Sequence, residues 1–79
     1  MAQNVSPPED PYHAIAALAD SGQVEVAERQ ARELVARAPE DHDAWRVLGY
    51  ALLTRNRYPE AESALKHAIE LAPQDGVAF

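Results

Sequence analysis

Three histidines, His13, His42 and His67, are the side chains of this 79-residue chain best suited to hold a metal or move a proton. Each is isolated in sequence, and none stands with a second histidine or an acid at metal-site spacing such as H-E-x-x-H. They read as surface or helix-end residues. Carboxylates are plentiful, but a pair such as Glu60 and Glu62 is two apart on a helical segment, so its members diverge. There is no cysteine, hence no thiolate nucleophile, disulfide or thiolate metal site. Neither a glycine-rich phosphate loop nor a nucleophile elbow occurs. The expectation is no catalytic residue, no metal and no cofactor: not an enzyme.

The charge balance narrows the partners. Seven Lys/Arg stand against thirteen Asp/Glu, a formal net charge of −6. Neutralising phosphates needs a basic patch, so nucleic acid is excluded as a partner class, and anionic membrane surfaces with it. No apolar run approaches the roughly 18 residues that cross a bilayer. The start, MAQNVSPPEDPYH, lacks the basic and apolar regions of a secretory leader. A soluble, cytoplasmic protein is expected. Frequent alanine, and arginine well above lysine, fit a bacterial source.

The residues left to carry function must be held by helices. Residues 1–9, with Ser6-Pro7-Pro8, read as a disordered tail. Asp10-Pro11 is a helix start, aspartate capping and proline at the first helical position. Apolar residues then recur at helical spacing over about 11–21 (Ala14, Ile15, Leu18, Ala19), until Ser21-Gly22 stops them. A second helix over about 24–38 carries Val24, Ala27, Ala31, Leu34, Val35 and Ala38 on one face. Its other face holds Glu25/Arg29, Glu28/Arg32 and Glu33/Arg37, each acid-first at i,i+4, and reads as a solvated salt-bridged surface. Pro39 ends it. A third helix over about 43–55 and a fourth over about 59–72 follow, with the turn at Asn56 and a stop at Pro73. No segment alternates as a half-buried strand does. The chain is predicted to be all-α.

Pro39 and Pro73 lie 34 residues apart. A shift of 34 also aligns Ala17 with Ala51, Leu18 with Leu52, Ala27 with Ala61, Glu28 with Glu62, Ala38 with Ala72 and Asp41 with Asp75. These identities fall on small, apolar and terminating positions, the mark of stacked supersecondary units. In the second unit Trp45-x₂-Leu48-Gly49-x₂-Leu52, then Ala61-x₃-Leu65, Ala68 and Pro73, stand at the spacing of the tetratricopeptide repeat. Residues 42–75 resemble that family closely, with Leu52 and Leu65 where it usually has aromatics. Residues 10–41 are a degenerate first repeat, with Pro11 and Ile15 at the tryptophan and glycine positions. The resemblance implies two helix–turn–helix repeats of an α-solenoid, four antiparallel helices, with Trp45 in the core. Residues 76–79 read as a tail or the start of a third repeat.

The resemblance also implies a function: a scaffold or adaptor that binds a protein or peptide. The first helix of each unit would line a concave groove. Its residues would be Asp43, Arg46, Tyr50, Leu53 and Thr54 from the second unit, and Glu9, Tyr12, Ala16, Ala19 and Asp20 from the first. Co-chaperones of this family clamp acidic C-terminal tails with basic and amide side chains. Here Arg46 alone fits, while Tyr50, Val47, Tyr12 and Ala16 occupy the other clamp positions, so that ligand is rejected. Acidic residues around two tyrosines suit a basic or amphipathic partner.

Repeat arrays leave an apolar face for the next unit. On the fourth helix that face is expected to be Leu65, Ala68, Ile69 and Leu71, beside Phe79, and to support a homodimer. The alternative reading is an excised N-terminal segment that positions substrate or partner for a larger bacterial enzyme, such as a glycosyltransferase.

Overall fold

The computed structural model describes residues 11–72, and everything below concerns those residues. Four helices follow one another: α1 (Pro11–Asp20), α2 (Val24–Arg37), α3 (His42–Thr54) and α4 (Tyr58–Leu71). Helix takes up 82% of the described residues and none is in a strand, so the all-α, two-repeat class stands. The expected boundaries hold to within a residue or two. Asp10, Glu9, the tail over 1–9 and residues 73–79, Phe79 among them, lie outside the described residues.

The 34-residue period reappears in the backbone hydrogen bonds. α1 ends with Gln23 N–H donating to Leu18 C=O at 2.9 Å and Gly22 N–H to Ala19 C=O at 3.2 Å. α3 ends with Arg57 N–H on Leu52 C=O at 3.0 Å and Asn56 N–H on Leu53 C=O at 2.9 Å. This double bond is a helix stop that needs a left-handed residue, and Gly22 (φ 95°) and Asn56 (φ 62°) supply it 34 positions apart. The α2–α3 turn is different: Asp41 caps α3, its side chain accepting from Asp43 N–H at 3.0 Å.

α3 is the central helix, packed against α1, α2 and α4, whereas α4 touches α3 alone. The core is built largely of alanine (Ala27, Ala31, Ala44, Ala51, Ala61), with Ile15, Leu34, Val47, Leu48 and Leu52 as its bulk. Small residues let helix axes approach closely, and they leave the few large side chains to supply most of the apolar burial. Trp45, expected in the core, lies half-buried at its edge. Its indole N–H donates to Pro39 C=O at 2.8 Å, and its ring meets His67 edge-on at 4.4 Å. The ring packs at the core edge while the polar N–H is satisfied by the turn carbonyl. Ala14, placed on the apolar stripe by spacing, is exposed.

The charged face of α2 departs most from expectation. Of its three acid-first pairs, Glu28–Arg32 closes, at 2.8 Å; among the described residues the other two do not. Glu28 is buried, 8% exposed, and reaches across to Arg55 beyond the end of α3 at 2.6 Å. Glu25 also turns to Arg55, at 3.8 Å. A surface expected to be solvated is instead an ionic tie between the two repeats.

Candidate peptide-binding groove

α1 and α3 run side by side, and their outer faces form a groove of about 550 Å³. α1 supplies Tyr12, His13 and Ala16; α3 supplies Asp43, Arg46, Val47, Tyr50 and Leu53; Leu65 of α4 closes one end. The structure therefore brings together Tyr12, Ala16, Asp43, Arg46, Tyr50 and Leu53. Thr54 is not among the lining residues; its hydroxyl donates to Ala51 C=O at 2.6 Å. Ala19 is buried in the core and lines nothing. His13 and Leu65 were not foreseen here, and Val47 was named only at a clamp position. Val47 was legible, because it stands one helical turn from Asp43 and one from Tyr50 on the same face. Leu65 was not, because its place in the groove depends on contact with another helix.

Ala16, Val47, Leu53 and Leu65 give the groove an apolar floor. Its rim is polar and paired internally. The Tyr12 hydroxyl donates to Asp41 Oδ2, tying α1 to the cap of α3, and the Tyr50 hydroxyl donates to Asp20 Oδ1, tying the second repeat to the first. Arg46 donates to Asp43 Oδ1 at 2.5 Å. The bond from Tyr12, with backbone N–H groups of Asp43 and Ala44, holds the Asp41 carboxyl below its ordinary value of 3.8 against the opposing pull of burial. The bond to Asp20 pushes the Tyr50 phenol above 10.0, so it stays protonated. With its hydroxyl proton committed to Asp20, the Tyr50 oxygen faces outward only as an acceptor. The rim thus offers acceptors at Tyr50 and Asp43 and a donor at Arg46; Asp20 is held by Tyr50 and is not itself a lining residue.

The face expected to be open on α4 is corrected in part. Ala68 is buried, and Leu65 is half-buried against Gly49 of α3, so both serve the fold within the unit. Leu71 is half-buried, and Ile69, 72% exposed, is the most open apolar residue of α4.

Acid should loosen this structure in a defined window. Burial pushes the Glu28 carboxyl up, but hydrogen bonds and charge from Arg32 and Arg55 together override it and hold it below 4.5. Asp41 is lowered as well. A lowered folded value means stability that is present in full above the ordinary value and lost as pH falls through the lowered one. Melting temperature should therefore be flat from neutral pH to about 5 and fall below it. Glu28→Gln and Asp41→Asn should each flatten that acid limb; an unchanged limb in both would refute the assignment.

Helix pairs stacked in a repeating register, with a groove on the first-helix side, define a helical-repeat protein. The family model described as tetratricopeptide repeat matches residues 14–76, and the chain belongs to that family. Repeats of this family are typically non-catalytic modules of protein–protein interaction. No curated protein and no solved structure matches the chain. Among the described residues no helix is long and apolar enough to cross a membrane, and no His, Cys, Asp or Glu cluster could hold a metal ion.

Proposed function

We propose that the α1–α3 groove binds a basic or amphipathic peptide or helix of another protein, so that the chain acts as a scaffold or adaptor. The observation that carries this is an apolar floor inside a rim richer in acceptors than in donors. A bound lysine or arginine would meet Asp43 and the outward lone pair of Tyr50, while apolar residues one turn away settle on Val47, Leu53 and Leu65. Arg46 has N–H groups to spare beyond Asp43 and would take a peptide carbonyl. The groove is short and open, so affinity belongs in the micromolar range, roughly −8 kcal/mol.

Titration of a peptide library into the chain tests this. Basic amphipathic sequences should be selected. Tyr50→Ala and Asp20→Asn should each weaken them about tenfold, the range of a moderate contact residue. Binding should fall with added salt. Selection of acidic C-terminal tails would overturn the reading.

A further inference from the structure

α2 and α4 both pack against α3 but not against each other. A trough of about 470 Å³ is left between them, on the side of α3 turned away from the concave groove. Its floor is Leu48 and Leu52, with Trp45 at one end. These three share a face of α3 opposite Arg46, Tyr50 and Leu53 by helical spacing. Arg32 of α2 forms one wall, and Glu60, Ser63 and His67, each about one turn on along α4, form the other. Sites for small organic ligands have this size and this make-up, an apolar lining with a few polar groups.

The polar groups of the trough are left with donors to spare. Arg32 Nε–H donates to Glu28 at 2.8 Å, and no other residue pairs with Arg32 among the described residues. Glu28 is shared with Arg55, so its single charge cannot offset both guanidinium groups, and Arg55 has Glu25 in addition, at 3.8 Å. Arg32 is therefore the cation in excess. The Ser63 hydroxyl makes no hydrogen bond among the described residues, whereas the acid of the lining, Glu60, is taken by Arg57 at 3.3 Å. At the other end the Trp45 N–H is already bonded to Pro39 C=O, so the indole turns only its ring surface to the trough.

We infer that this trough binds a small aromatic carboxylate. The ring rests on Leu48 and Leu52 beside Trp45, joining the edge-on pair that Trp45 makes with His67. The carboxylate lies along the terminal N–H groups of Arg32, a planar pair of donors that matches its two oxygens, and accepts from the Ser63 hydroxyl. A neutral or cationic ring leaves Arg32 unmet, so the negative charge belongs to the ligand class. The chain's net charge of −6 opposes such an anion only weakly, because exposed charges beyond about 10 Å are screened at ordinary salt. The trough shares no lining residue with the concave groove, and the inference stands or falls apart from the groove's function.

Trp45 is the one tryptophan of the chain, so its fluorescence reports on this site directly. The probe is hydrocinnamate, titrated into the whole chain, with hydrocinnamamide as its uncharged counterpart. A saturable change in Trp45 emission is expected, half complete at roughly 1 mM for so small a ligand. The amide should bind about tenfold more weakly, having lost the charge-assisted bonds. Arg32→Gln should weaken the acid about tenfold and bring acid and amide level, and Arg32→Lys should restore part of the difference. Tyr50→Ala should leave the titration unchanged, which separates the trough from the groove. Equal affinity for acid and amide in the unmutated chain would overturn the inference, and that comparison needs no variant to fold. Binding indifferent to Arg32, binding lost with Tyr50, or no saturation by roughly 20 mM would overturn it as well.

Discussion

Glu28→Ala should lower the melting temperature by roughly 10–20 °C, the equivalent of about 2–3 kcal/mol in a domain of this size. Removing one partner from a buried ionic network costs about 3–5 kcal/mol, because the remaining charges lose their counterion in a place water reaches poorly. The lower figure applies here because Arg55 keeps 25% of its side-chain exposure and Arg32 keeps 51%, so both can recover some hydration. Small domains hold about 5 kcal/mol in total, so the variant should be near the edge of folding at 37 °C. Glu28→Gln keeps a hydrogen-bond acceptor and loses the charge, and should lie midway. The cycle with Arg55→Ala isolates the inter-repeat part: Glu28→Ala should cost about 1–2 kcal/mol less once Arg55 is gone. A shift under about 3 °C for Glu28→Ala would mean that the tie is merely a surface pair.

That effect could not be read from the sequence. Glu25/Arg29, Glu28/Arg32 and Glu33/Arg37 look alike as i,i+4 pairs, and a single-helix view makes all three surface ornaments. What distinguishes Glu28 is Arg55, 27 residues away and brought near only by the stacking of the second repeat on the first. The features that were legible are those whose cause is local. Gly22 and Asn56 stop helices through their own backbone preference, Pro39 through its ring, and the 34-residue period follows from their recurrence. The groove was partly legible for the same reason. Asp43, Arg46, Tyr50 and Leu53 share a face by helical spacing alone, whereas the loss of Ala19 to the core and the arrival of Leu65 depend on how helices pack. Tyr12 and Tyr50 both line the hollow, but their bonds to Asp41 and Asp20 span 29 and 30 residues, so both side chains also act as struts.

Gly49 decides how closely α3 and α4 can lie, and enlarging it should destabilise the chain against the local preference of the helix. In an exposed helix interior, alanine for glycine gains about 1 kcal/mol. At Gly49 a Cβ would fall 2.6 Å from both Cγ and Cδ2 of Leu65 and 3.4 Å from the Ala61 carbonyl oxygen. The leucine must swing aside or α4 must move off, and overpacking of this kind costs about 1–3 kcal/mol. Gly49→Ala should therefore come out neutral to destabilising by up to about 2 kcal/mol, with the steric cost cancelling or exceeding the gain in propensity. Gly49→Leu adds three further carbons to the same space and should cost about 3 kcal/mol or more, enough to leave a large unfolded fraction. The cause is testable by relief. In a Leu65→Ala background the obstructing atoms are gone, and Gly49→Ala should become stabilising by about 1 kcal/mol. Denaturant midpoints of the four chains settle the sign. Because Leu65 also closes the groove, Gly49→Ala should in addition weaken peptides that settle on the groove floor while leaving those held at the Asp43 rim less affected. If Gly49→Ala alone raised the midpoint, α4 would have room to spare beside α3, and the close contact of the helices would not depend on the glycine.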